Sequence, residues 1–358
     1  MTRFAWREFR TQAIVAACAV VISAAILGIT GANLAHLYDT TVANCKVNSD
    51  CSSAISVFLS TDNQLRTALD ILIVVLPGFL GVFWGAPLIA REFETGTHRL
   101  AWTQSVTRAR WLLVKVGVAG GCSLLVTGLI SLMVTWWFSP VDRVNMNAFA
   151  SFEQRDIVPI GYAAFAFALG VVSGVVLRRT LPAMATTLAG FVLVRLVVAE
   201  LVRPNLAAPL HATVPNTTLA SLVSIGSSHS SLSPSDLTPG QGALPPNAWL
   251  ISDQTINSAG RVIGENGFVG GGITLIPGVG GHGLTIQGAG TCPGINVPPL
   301  PSGALIEKCI DRFHIRDVLT YQPGSHYWPF QWGELAIFLV LSLILIGLSL
   351  WFVQRRAA

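Results

Sequence analysis

Charge is what this chain of 358 residues has least of: Asp, Glu, Lys and Arg account for 11% of it, where an ordinary soluble domain carries about 25%. With 52% hydrophobic residues and a mean hydropathy of +0.60, this shortage excludes a water-soluble globular protein of ordinary composition. Signatures of nucleotide and hydrolase chemistry are missing too. No G-x-x-x-x-G-K-[ST] occurs, and GVGGHG (278–283) has no Lys and no helix behind it, so no P-loop is present to hold ATP. H-E-x-x-H and G-x-S-x-G are likewise absent, and catalytic residues are not assigned. Cys292, Cys309 and His314 match no zinc spacing, so no metal site is expected. Heptads are absent as well, which removes a coiled coil.

What the chain does have is long apolar runs. A bilayer core of about 30 Å needs about 20 apolar residues per helix. Six runs qualify, at 12–34, 69–90, 112–138, 157–177, 182–201 and 332–353. They predict an all-α polytopic membrane protein with six transmembrane helices. The fourth and fifth are separated by LRRTLP, a tight helical hairpin in which Pro182 suits a first turn. Arg3, Arg7 and Arg10 would also suit a signal peptide, but the length of the run and the lack of a following A-x-A site favour a span.

Orientation follows from Lys and Arg. With the N-terminus inside, 12 of the 22 basic residues fall in short cytoplasmic segments, among them Arg3, Arg7, Arg10, Arg91, Arg99, Arg108, Arg110, Lys115, Arg178, Arg179, Arg355 and Arg356. Both termini are therefore expected in the cytoplasm. Cys18 and Cys122 fall inside spans, whereas Cys45, Cys51, Cys292 and Cys309 all fall in outer loops. Pairs Cys45–Cys51 and Cys292–Cys309 are the simplest disulfide set on an oxidising face, although four Cys allow three connectivities.

Residues 202–331 are long enough for an extracellular domain. Within it, 264–294 is Gly-rich and broken by ITLI and LTI, which predicts short strands and tight turns. SSHSSLSPSDLTPGQGALPPN (227–247) reads as a surface loop. In GALIEKCIDRFHIRDVLT (303–320), Leu305, Ile306, Cys309, Ile310 and Phe313 recur at helical spacing and predict an amphipathic helix. Tyr321, Tyr327, Trp328, Phe330 and Trp332 form an interfacial aromatic belt before the last span, and Trp136 and Trp137 play the same part at the outer end of the third. Gly28, Gly31, Gly170 and Gly174 are candidates for close helix packing.

Arg195 sits about thirteen residues into the fifth span, at the level where Asp70, Glu200 and Glu334 enter theirs. The four form a candidate intramembrane charge network. It reads first as a structural ion pair or a snorkelling Arg, and second as a relay or substrate contact.

The segment REFETGTHRLAWTQSVTRARW (91–111) departs most from its surroundings. Helical spacing continues out of the second span through Ile89 and Phe93 to a stop at Gly96, and a helix restarts after Ser105 or Thr107. Basic residues alone satisfy the positive-inside pattern, whereas Glu92 and Glu94 do not serve it and sit unfavourably beside anionic lipid.

The pattern A-R-E-x-E-x-G-T-x-R-L-A-W-T-Q-S-V-T-R-x-R-W-L-L-x-K (90–115) resembles the loop between the second and third spans of ABC-2-type transporter permeases, particularly actinobacterial ones. YQPGSHYWPFQWGE (321–334) is similar to their segment before the last span, and RFAWREFR (3–10) resembles their interfacial helix, here 1–11. The resemblance implies the membrane subunit of an exporter in the bacterial plasma membrane. Its partners would be a separately encoded ABC ATPase, a second permease copy and membrane lipid, with no nucleic acid. ATP and Mg would be bound only by the ATPase. Arg91, Glu92, Phe93, Glu94, Gly96, Thr97 and Arg99 would form the coupling helix, the acids meeting basic groups of the ATPase and Phe93 plugging its cleft. Domains follow as 1–11, 12–201, the extracellular 202–331, and 332–358 with its basic tail. Two departures stand out: Ser105 replaces a frequent Pro, and the outer loop is longer than in compact members. A ligand-sensing signalling or resistance module, and a membrane enzyme acting on lipid or cell-wall precursors, are the competing functions.

Overall fold

The computed structural model describes residues 2–45, 51–96, 107–145, 148–215, 244–265, 268–269, 273–278, 281–286, 290–292, 313–314 and 316–355. The chain divides into two compact units, residues 1–206 with 327–358, and residues 207–326.

The first unit is a helical bundle. Its helices are α1 (Thr2–Leu37), α2 (Ser52–Ser60), α3 (Asn63–Leu80), α4 (Ala86–Thr95), α5 (Arg108–Asn145), α6 (Val158–Leu177), α7 (Thr180–Val197) and α8 (Tyr327–Arg355). Among the described residues, six stretches are long and apolar enough to cross a bilayer: Arg10–Val42, Asn63–Thr95, Arg108–Val144, Ala148–Leu177, Thr180–Asn205 and Gly324–Arg355. They coincide with the six expected runs and extend beyond them. The fourth is led in by a 3-10 segment, Ala148–Gln154, in a stretch the sequence assigned to an outer loop. Together α3 and α4 make the second span, joined through a π turn at Gly81–Gly85. Two further π turns among the described residues, Tyr38–Val42 and Val198–Val202, end α1 and α7.

Apolar on every side, α6 is the centre of the bundle, with Tyr162, Ala163, Ala166 and Val171 fully buried. Glycine sets how closely the second span approaches it. A Cβ on Gly81 would stand 2.5 Å from the Ala166 carbonyl oxygen, and one on Gly174 would stand 2.6 Å from that of Ala86. Gly170 meets the Gly81 carbonyl in the same way, so the two backbones touch. Of the other glycines expected to mediate packing, Gly31 lies against Trp136 and Trp137, while Gly28 has open space where its Cβ would be.

Two apolar clusters occupy the two ends of the bundle. One joins Ala16, Trp84, Ile89, Trp111, Leu112, Val175 and Val353, bringing the start of the first span and the end of the last to the end that carries 91–96. The other joins Leu27, Leu34, Phe58, Ile73, Ile130 and Trp137. There, Cys45 and Cys51 form a disulfide with a Cα separation of 6.1 Å, as the simplest pairing expected.

In residues 207–326, β1 (Leu210–Pro215), β2 (Trp249–Ile256), β3 (Val262–Glu265), β4 (Phe268–Val269), β5 (Ile273–Gly278), β6 (Gly281–Ile286), β7 (Gly290–Cys292) and β8 (Arg316–Gln322) build two antiparallel sheets. Their orders are β1-β8-β2-β3-β4 and β5-β6-β7. The ITLI and LTI pieces fall in β5 and β6, as their composition predicted. The helix expected over 303–320 is corrected in its last part. Residues 316–320 lie in β8, where Asp317 and Leu319 are buried and the strand is paired on both edges, to β1 and β2. Period-two burial and the β-branched Val318 and Thr320 decide this segment, while 303–312 lie outside the described residues. Cys292 ends β7; Cys309 and the loop at 227–243 lie outside the described residues.

Candidate functional site

The end of the bundle carrying α4 is built from the residues singled out in the sequence. Gly96 ends α4 in the left-handed conformation (φ 72°), which a residue without a Cβ adopts at no steric cost. The Glu92 carboxylate forms an ion pair with Lys115 of α5, itself only 5% exposed and set 5.3 Å from the Trp111 ring centroid. Glu94 reaches α7: one oxygen accepts from the Thr180 backbone N–H at 2.8 Å, the other from the Thr180 hydroxyl at 2.6 Å. A carboxylate at that position satisfies the unpaired donors of the helix start and opposes its positive dipole end. Phe93 packs on the apolar cluster with the Arg178 guanidinium 5.5 Å above its ring. Arg91 is exposed, while Thr97 and Arg99 lie outside the described residues. Glu92, Phe93 and Glu94 thus all have partners within the chain, on the third and fifth spans and the hairpin between the fourth and fifth.

At the other end, a buried network joins five residues of three spans, the fourth, fifth and sixth. Arg195 of α7 donates to the Val74 carbonyl at 2.9 Å and to Glu153 Oε2 at 2.6 Å. Arg203 donates to Glu153 Oε1 at 2.7 Å and to both Glu334 oxygens at 2.9 and 3.0 Å. Tyr162 closes the circuit by donating to Glu334 Oε1 at 2.6 Å, under the Arg195 guanidinium at 4.7 Å. Two cations and two anions cancel, and each carboxylate is held by more than one donor, which makes their burial tolerable. Of the four residues expected to pair, Arg195 and Glu334 enter this network, linked through Glu153 and Arg203. Among the described residues, Asp70 and Glu200 make no ion pair with Arg195. Asp70 Oδ1 is buried without a hydrogen-bond partner, and Glu200 is exposed beside a cavity.

Sequence reasoning missed Glu153 and Arg203. The run FEQRDIVP (152–159) was the available signal: Glu153, Arg155 and Asp156 are three charges packed against the start of an apolar run. Arg155 pairs with Asp142, and Tyr327 donates to Asp156, so the whole run is tied into the bundle.

The cavity has a volume of about 660 Å³ and lies between the second and fifth spans. Its walls are mainly apolar, from Val75, Phe79, Phe83, Phe191 and Leu196, with Glu153, Arg195 and Glu200 as its ionised residues. Among the described residues no group of three or more His, Cys, Asp or Glu is placed to hold a metal.

Six apolar crossings with a buried, balanced ion network define a multi-pass membrane protein. The chain belongs to the family described as ABC-2 membrane transporter related, whose profile matches residues 17–203, more than half of it. The match runs through the first five spans and ends at Arg203. No curated protein and no solved structure matches the chain at a significant level.

Proposed function

We propose that this chain is the membrane-spanning subunit of an exporter driven by a separate ATPase. Two copies would form the pathway in a bacterial plasma membrane, and the ATPase would bind ATP and Mg, leaving the chain itself without catalysis. The observation that carries this reading is the fastening of the end of the second span: Glu92 to Lys115 on the third, Glu94 to Thr180 at the start of the fifth. A push on 91–96 therefore enters two further spans together, as alternating access requires. On this reading Glu92 and Glu94 act as internal struts, and the contact with the ATPase falls to exposed neighbours such as Arg91.

Cytoplasmic termini are supported by the gathering of Ala16, Trp111, Val175 and Val353 at one end, where Arg10, Arg91, Arg110, Arg179 and Arg355 also lie. A cavity beside the fifth span supports a pathway there.

Affinity purification of the tagged chain tests the reading. An ATP-binding subunit is expected in equal amount, and Arg91→Glu with Arg110→Glu should release it while the chain elutes as wild type. A chain that purifies from native membranes with no ATP-binding subunit contradicts it. Glu92→Arg is a poorer probe, because it would leave the buried Lys115 facing a like charge.

A further inference from the structure

We infer that the cavity between α3 and α7 is a binding site for lipophilic organic cations, with Glu200 as its anionic anchor. Transport of such a cation would rest on the exporter reading above; binding does not.

The charges beside the cavity do not cancel. Arg195 is neutralised by Glu153, whose second oxygen is taken by Arg203. Glu200 has no partner among the described residues, so it leaves the lining with one net negative charge. The rest of the wall is apolar and aromatic. Phe79 and Phe83 stand with ring centroids 4.4 Å apart, and Phe191 faces the same space from α7. Ring faces and a carboxylate together attract cations, and apolar walls favour one whose charge is spread over a large hydrophobic body. A compact ammonium would lose its hydration there without enough donors and acceptors in return. At about 660 Å³ the volume is within the ordinary range for small-molecule pockets, about 300–1,000 Å³.

Backbone irregularity points independently to the same place. The π turn Gly81–Gly85 supplies Val82 and Phe83 to the wall, and the π turn Val198–Val202 supplies Ala199 and Glu200. Such turns insert an extra residue into a helix, re-aim its side chains and occur frequently at functional sites. Two of the three π turns among the described residues border the cavity, one from each span, while Tyr38–Val42 ends α1 away from it.

Tetraphenylphosphonium and its anionic isostere tetraphenylborate distinguish charge from greasiness. The full chain, purified alone into nanodiscs of zwitterionic lipid, should bind the phosphonium saturably, and the borate should not displace it. Glu200→Gln should weaken binding at least tenfold, while Glu200→Asp stays within a few-fold of wild type. Phe83→Ala should weaken it as well. Equal binding of both ions, unchanged affinity in Glu200→Gln, or an absence of saturable phosphonium binding overturns the inference. So does a phospholipid retained in the cavity that phosphonium does not displace. A chain that recruits the ATPase but binds no phosphonium fails this inference alone, and one that binds phosphonium without any ATPase fails only the exporter reading.

Discussion

Lys115 shows how a single buried residue ties the end of the second span to the third. Its ammonium is almost wholly removed from solvent, and its partner Glu92 is the acid expected to face another protein. Removing one member of a buried pair strands the other, at about 3 to 5 kcal/mol, whereas replacing both by apolar groups is often near neutral. Lys115→Met should therefore lower the thermal midpoint in detergent markedly, and Lys115→Met with Glu92→Leu should restore most of it. At the same scale, Asp253 and Asp317 lie buried on one face of the β1–β8–β2 sheet, Thr255 donating to Asp317 at 2.8 Å and Asp253 lacking any donor. Burial first, and the Asp317 carboxylate second, push Asp253 up to about 6. An acid raised above its unfolded value binds more protons when folded, so its contribution is full below about pH 4 and is lost as pH rises through about 6. Hydrogen-exchange protection of the β2 and β8 amides in the whole chain, corrected for intrinsic rates, should fall by about 1 kcal/mol between pH 5 and 7. Asp253→Asn should flatten that dependence. The residues that complete the charge network were hardest to read from sequence: Glu153 and Arg203 lie just outside the apolar runs, where charges ordinarily meet water, and only folding shows them turned inward.

The spans were legible at the scale of elements because a run of about 20 apolar residues has one stable solution in a bilayer. Their contacts were only partly so. Gly170 and Gly174 sit where backbone meets backbone, but Gly28, equally small and equally placed in a span, has open space among the described residues where a Cβ would stand. Gly170→Leu should accordingly prevent assembly of the second span against the fourth, seen as loss of a monodisperse peak. Gly28→Ala should slightly raise the thermal midpoint, since Ala is favoured over Gly inside a helix by about 1 kcal/mol. Period was misleading in one segment. Apolar spacing from Leu305 to Phe313 was extended through residue 320, whereas Asp317 and Leu319 alternate with half-buried neighbours in a strand paired on both edges. Strand pairing is non-local, and the partners of β8 lie near residues 212 and 253, far from it in sequence.

For the whole molecule, membership of the ABC-2 membrane transporter related family and a bundle fastened across its second, third and fifth spans combine into one account. On the exporter reading proposed above, energy would enter from an ATPase subunit at 91–96 and leave as movement of the fifth span, beside the cavity. Leu181, at the start of α7 and 79% exposed, is placed to report that movement. A spin label there, in a background with Cys18, Cys122, Cys292 and Cys309 replaced by Ala, gives the distance between the copies of the proposed dimer by pulsed electron resonance. In the reconstituted complex, Mg-ATP should shift that distance distribution, and without the ATPase subunit it should not. A distribution that stays the same with and without Mg-ATP in the complete complex would contradict the account.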